Sequence, residues 1–204
     1  MGAWSCYVVA ALSLVYVPVL VAGLVAAAPE APVPDPYNAI LELLIVPIAL
    51  AMVVAFVAVH RWAAPQRRLL SAGAVALVAL TAGITVSVHA VLLTVGRQAD
   101  ASTLPGYDLL LSWRWPSVVF ALDIVAWDLF LGVALLLAAP VLRGWPSRLL
   151  AVSGVLCLAG ITGAVTGDMN VRDIGIVGYA VVLPVALLLQ GRRFASTVPP
   201  ETAP

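Results

Sequence analysis

Residues 38–60 read NAILELLIVPIALAMVVAFVAVH, an apolar run interrupted by one carboxylate, Glu42, and closed by His60. Wound as an α-helix at about 1.5 Å per residue, such a run is about 34 Å long. That matches a bilayer hydrocarbon core of about 30 Å, with the ends reaching polar ground. Apolar side chains fall on every face of the helix, so no stripe marks a side meant for water. The stretch predicts a membrane-crossing helix.

Working outward, five further stretches meet the same requirement, and the predicted spans are about 5–28, 38–60, 69–96, 117–141, 148–167 and 174–191. Prolines punctuate the connections: Pro29, Pro32, Pro34 and Pro36, then Pro65, Pro105, Pro116 and Pro146. At a helix start a proline removes an N–H that has no partner anyway. Pro18, Pro47 and Pro184 fall inside spans, where kinks are expected. VAGLVAAAPEAP (residues 21–32) has the small residues of a signal-peptide cleavage site. The stretch before it is uncharged and too long for a typical h-region, so the first span is expected to remain.

Composition agrees. The chain has 204 residues, of which 63% are hydrophobic and 10% charged, and its mean hydropathy is +1.11. Soluble domains carry about 25% charged residues, and their surfaces need them. The fold class expected is an all-α polytopic integral membrane helix bundle of about six transmembrane helices. Residues 1–193 form the membrane domain, and the polar, Pro-rich tail 194–204 is expected to be disordered. All ten basic residues are Arg, and no tract is basic enough to attract nucleic acid.

Arg61, Arg67, Arg68, Arg143, Arg148, Arg192 and Arg193 share one side of this layout; Arg97, Arg114 and Arg172 are left on the other. The positive-inside rule makes the first side cytoplasmic, and with it both termini. Of the acids only Glu201 falls on that side. The expected location is a bacterial inner or plasma membrane. Trp4, Trp62, Trp113, Trp115 and Trp145 fall near predicted interfaces, where an amphipathic indole belongs; Trp127 lies in mid-span. The longest outer connection, from Arg97 to Pro116, carries LLLSWRW, which reads as an interfacial segment and a lid.

Ionisable groups within hydrocarbon are costly, and each marks a candidate site. Four qualify: Glu42, His89, Asp123 and Asp128. By helical rise Glu42 lies about 6 Å below the outer end of its span, His89 and Asp123 about 10 Å below theirs, and Asp128 about 16 Å deep. Thr81, Thr85 and His89 recur every four residues as one polar stripe, and Asp123 shares a face with Trp127. Asp128 is about 140° round from Asp123 in an α-helix, so the two carboxylates are expected to serve different places. These four are the candidate catalytic groups. Trp127, Arg97, Tyr107, Arg114 and Arg172 are candidate substrate contacts, and an arginine among Arg97 and Arg172 is expected to pair with a membrane carboxylate. Each of these residues also has a plain structural use as interhelical glue, packing or headgroup anchor.

Gly160, Gly163 and Gly167, with Gly175 and Gly178, read as small-residue faces for close packing of an antiparallel hairpin. Cys6 and Cys157 fall on different spans at different depths and read as packing residues. No metal-ligand spacing, Walker motif, nucleophile elbow or dinucleotide fingerprint is present, and His60 is too far from His89 in depth for a bis-His haem, so no cofactor is expected.

In size, span number, a carboxylate in an early span (Glu42, within YNAILE) and acids in a later one (Asp123 and Asp128, within ALDIVAWD), the chain loosely resembles the small multi-pass membrane terpene cyclases. It departs from them in having no Trp beside Glu42. The resemblance implies proton-initiated chemistry on an isoprenoid, with an aromatic face such as Trp127 beside a cationic intermediate. From the residues alone, a carboxylic acid in an apolar cavity favours its neutral form and can act as a general acid. The leading reading is a membrane-embedded enzyme acting on a lipid-soluble substrate. A non-catalytic or lipid-binding membrane subunit and a small proton-coupled carrier are the alternatives. Expected partners are membrane lipids and a lipophilic small molecule, with homo-oligomerisation left open.

Overall fold

A computed structural model describes residues 1–27, 32–98 and 100–196. Six helices are long and apolar enough to cross a membrane: α1 (Gly2–Ala26), α2 (Tyr37–Arg61), α3 (Pro65–Thr94), α4 (Val118–Val141), α5 (Gly144–Thr166) and α6 (Met169–Ser196). No strand occurs among the described residues. Pro18, Pro47 and Pro184 lie within α1, α2 and α6, as their positions require.

Each helix packs on its neighbours in sequence, and α6 closes on α1, so the six form a ring. The termini meet at one end: a side chain added at Gly2 would touch Ala58 and Phe194. That end carries most of the arginines and is called the arginine-rich end below. Inside the ring, Met52, Phe56, Leu131, Leu135, Leu183 and Leu187 are buried within one apolar cluster. Outside, Leu14, Leu24, Leu43, Leu50, Leu80, Val155 and Val165 stand exposed. A soluble protein does not present so many bare aliphatic side chains on all sides, whereas lipid is their natural surround.

Small residues set the tightest approach. A Cβ at Gly160 would lie 3.0 Å from the Gly175 backbone, and one at Gly163 would lie within 2.5 Å of backbone in the 168–172 turn. One at Gly178 would stand 2.9 Å from the Ser153 carbonyl. The hairpin of α5 and α6 therefore packs backbone to backbone. Gly167 does not join that face: its Cβ position is open, and its φ of +77° ends α5 in the left-handed conformation favoured by glycine.

Two helices contain a π-helical turn, Val125–Phe130 in α4 and Val177–Val182 in α6. A neighbouring hydroxyl attends each. Thr81 donates to the Ala126 carbonyl at 3.0 Å, and Ser153 donates to the Gly178 carbonyl at 2.8 Å. Where a helix widens, its carbonyls lose ideal partners, and in hydrocarbon only protein can supply replacements.

Several boundaries differ from the sequence reading. Helix α6 begins five residues earlier than expected, at Met169, because Asp168 caps it by accepting from the N–H groups of Asn170 and Val171. It also runs to Ser196, with Phe194 packed edge-on against Trp62 at 5.1 Å, so the expected disordered tail cannot begin at Phe194. Residues 197–204 lie outside the described region.

Candidate functional site

The membrane-depth ionisable groups converge inside the ring. Glu42 on α2, His89 on α3, Asp123 and Asp128 on α4 and Arg172 on α6 are all buried, none more than 6% exposed. His89 Nε2 lies 3.6 Å from Asp123 Oδ1. The other oxygen, Asp123 Oδ2, lies 3.7 Å from Arg172 Nη2, and Arg172 Nε lies 3.6 Å from Asp128 Oδ2. Asp123 lines the cavity described below and Asp128 does not, in keeping with separate roles, yet one guanidinium bridges both. The α-helical offset of 140° does not apply, because the π turn closes at i→i+5 and winds Asp128 back toward the face of Asp123. The guanidinium then spans the rest, offering Nε to one carboxylate and Nη2 to the other.

Arg172 also departs from its expected place at the rim. The early start of α6 carries it into the span, where its guanidinium lies 5.5 Å from the centre of the Phe120 ring. Room for Asp128 comes from Gly175, where a Cβ would sit 2.1 Å from Asp128 Oδ1.

A cavity of about 80 Å³ opens on this cluster, lined by Glu42, His89, Asp123 and Arg172 together with aromatic groups. Trp113 is one of them. It packs its ring 5.4 Å from His89 and 5.1 Å from Phe120. Tyr16 and Tyr179 close the wall from α1 and α6. Trp127 stands behind this wall, its ring 5.0 Å from Tyr179, and is not among the lining residues.

A second space of about 280 Å³ lies toward the end opposite the termini, lined by Asp35, Arg97, Tyr107 and Leu111 among others. It shares Asn38, Glu42 and Trp113 with the inner cavity. Asn38 Nδ2 donates to Glu42 Oε1 at 2.7 Å, which fixes one oxygen of the carboxylate at the boundary. At its mouth Arg97 grips Asp35 with two hydrogen bonds of 2.9 and 3.0 Å. That guanidinium holds the Asp35 carboxyl below the usual carboxylate range. Arg97 therefore pairs at the exposed end of the bundle, and Arg172 pairs in its buried interior. Arg114 is exposed and lines neither space.

Several polar atoms of the cluster make no hydrogen bond: Glu42 Oε2, Asp123 Oδ1, His89 Nδ1, both oxygens of Asp128 and Arg172 Nε. The ion-pair distances of 3.6–3.7 Å are longer than hydrogen bonds. Three carboxyl groups, on Glu42, Asp123 and Asp128, gather around one guanidinium and one imidazole. Among the described residues no group of three or more His, Cys, Asp or Glu side chains is placed to hold a metal ion. His60, far from this cluster, shares a 2.8 Å hydrogen bond with Ser71 that ties α2 to α3.

Sequence reasoning missed Tyr16, Tyr179 and Phe120. A signal existed for Tyr179, because Arg172, Ile176 and Tyr179 continue one helical face at spacings of four and three. For Tyr16 the signal was slight: Ser5 and Ser13 share its face of α1, and both are buried.

No family model matches this chain, and neither a curated protein nor a solved structure matches it significantly. The fold defines a multi-pass all-α membrane protein, and the convergent cluster is its candidate site.

Proposed function

We propose that this protein is a membrane-embedded enzyme that performs acid–base chemistry on a lipid-soluble substrate. Asp123 with His89 is the acid–base pair, Glu42 is the second carboxyl at the cavity boundary, and Arg172 holds Asp123 in place with Asp128 behind it. One observation carries the reading: Glu42, His89 and Asp123 line one cavity, and each keeps a polar atom with no hydrogen bond. Residues serving only as interhelical glue satisfy one another, because an unmet polar group in hydrocarbon costs several kcal/mol. Unmet atoms around a shared space fit a site whose remaining partner is a substrate.

The cavity of about 80 Å³ has room for the reacting end of a molecule, not for an isoprenoid chain. The rest of the substrate would lie in the neighbouring space or in lipid. Trp113 and Phe120, rather than Trp127, would face a positive charge developing on carbon. A proton given by the carboxyl–imidazole pair and returned to a neighbouring base leaves no net change in oxidation state, so such a reaction needs no redox cofactor. Both termini would be cytoplasmic, by the arginine distribution, and the site would open toward the outer leaflet of a bacterial cell membrane.

The test is mass spectrometry of lipid extracts from cells with an enlarged isoprenoid pool, expressing wild type, Asp123→Asn or empty vector. A product made by the wild type alone supports the proposal. Identical extracts from folded proteins, across several lipid pools, would instead favour the non-catalytic subunit; substrate-driven proton movement in liposomes would favour the carrier.

A further inference from the structure

A separate pocket lies at the arginine-rich end, between the ends of α2, α3, α4, α5 and α6. It measures about 660 Å³ and is lined in part by Arg67, Arg143 and Arg193, with Trp62 and Gln190. No acid is among the lining residues described. Arg67 and Arg143 each stand immediately before a helix, the α-helical part of α3 and the start of α5, and neither helix has a side-chain cap there. The positive end of the α5 dipole therefore opens beside the guanidinium groups, an arrangement that favours an anion. Arg193 donates to the Arg143 carbonyl, which holds two walls of the pocket together. Gly144 leaves space for it, since a Cβ there would lie 2.8 Å from Arg193 Nη2.

Topology alone asks only for arginines near the membrane surface. It does not ask for Gln190, which is 4% exposed, lines this pocket and has an Oε1 with no hydrogen bond. A buried amide oxygen needs a donor, which a bare phosphate at neutral pH supplies poorly and a hydroxyl supplies well. We infer that this pocket binds the headgroup of an anionic phospholipid, its phosphate held by Arg67 and Arg143 and a headgroup hydroxyl donated to Gln190. Trp62 suits the interfacial depth that such a headgroup occupies. Basic pockets between membrane helices recognise lipid headgroups by this chemistry. The inference is independent of the acid–base site.

Native mass spectrometry of the full chain in detergent tests it, with phosphatidylglycerol, phosphatidic acid, phosphatidylcholine and inorganic phosphate as probes. Phosphatidylglycerol should bind best, because it alone among them combines net charge with alcohol hydroxyls, which stay protonated at every working pH. Arg67→Gln/Arg143→Gln should weaken it about thirtyfold, at about fivefold per interfacial arginine. Gln190→Leu should erase the preference over phosphatidic acid. Arg61→Gln/Arg192→Gln, which removes equal charge from the same end outside the pocket, should leave binding within about threefold; size exclusion verifies folding of each variant. Equal losses from the two arginine pairs would overturn the inference in favour of diffuse attraction. Binding of phosphatidylcholine or free phosphate as tightly as phosphatidylglycerol would overturn the lipid assignment.

Discussion

Replacing Arg172 by Met removes the one cation that stands between two buried carboxylates. Its nitrogens lie 3.7 Å from Asp123 Oδ2 and 3.6 Å from Asp128 Oδ2. At an effective dielectric near 20, each pair contributes about 4–5 kcal/mol of Coulomb attraction before desolvation is counted. Most of that offsets the cost of taking the charges out of water, so the intact pairs are worth far less than this sum. Breaking them is different, because the carboxylates stay buried after their partner has gone. The expected loss is about 3–5 kcal/mol. Met preserves the length and much of the packing of the side chain, so charge and not volume dominates the change. Reversible unfolding in mixed micelles with increasing SDS, followed by circular dichroism, measures it. Adding Asp128→Asn to Arg172→Met removes one stranded charge and should return part of the loss, with a coupling of about 0.5–3 kcal/mol. A loss below about 1 kcal/mol with no coupling to Asp128 would refute the view that this guanidinium secures α4 to α6.

Three further outcomes are expected. Thr81→Val deletes the hydroxyl that meets the Ala126 carbonyl at the π turn and should cost between about 0.6 and 1.7 kcal/mol in SDS unfolding; a cost no larger than that of Thr94→Val, whose hydroxyl bonds only its own helix at Ala90, would count against the carbonyl's dependence on it. Gly163→Ala places a Cβ 2.2 Å from the Arg172 backbone nitrogen and should destabilise by about 1–3 kcal/mol, whereas Gly83→Ala, with open space, should stabilise by up to about 1 kcal/mol; matching effects would contradict the close α5–α6 packing. The Asp35 carboxyl is held low by the Arg97 hydrogen bonds, so its contribution is present above the unfolded value of about 3.9 and is lost as pH falls through the lower folded value. The pair is exposed, which limits the effect to less than about 1 kcal/mol and makes it sensitive to salt. Arg97→Gln should flatten this acid limb in thermal unfolding at low salt, and parallel curves for wild type and variant would show that Asp35 is not coupled to Arg97.

The arrangement of residues in the site illustrates how helical periodicity can mislead. Thr81, Thr85 and His89 read correctly as one face, because α3 is regular over that stretch and all three are buried. Asp123 and Asp128 both reach Arg172, although five residues of ordinary helix would separate them by more than a third of a turn. No residue type between them announces a π turn. The widened turn is held from outside, by Thr81 from a helix far away in sequence. Likewise, Arg172 looked like a rim residue only because apolar length was used to place the start of the sixth span. The cap at Asp168 carries α6 past that boundary, and burial of the cation is made tolerable by acids from another helix.

What the sequence determined by itself was the membrane fold and the identity of the costly groups. Hydrocarbon admits long apolar helices and penalises every charge within them, so span number and candidate residues follow from one-dimensional pattern. Tertiary structure decided which of those groups meet. It closed the helices into a ring, brought Tyr16 and Tyr179 to one site from opposite ends of the sequence, and set Trp113 against His89. Between helices distant in sequence, contact depends on backbone approach at glycines and on local departures from α geometry, and neither quantity is carried by hydropathy.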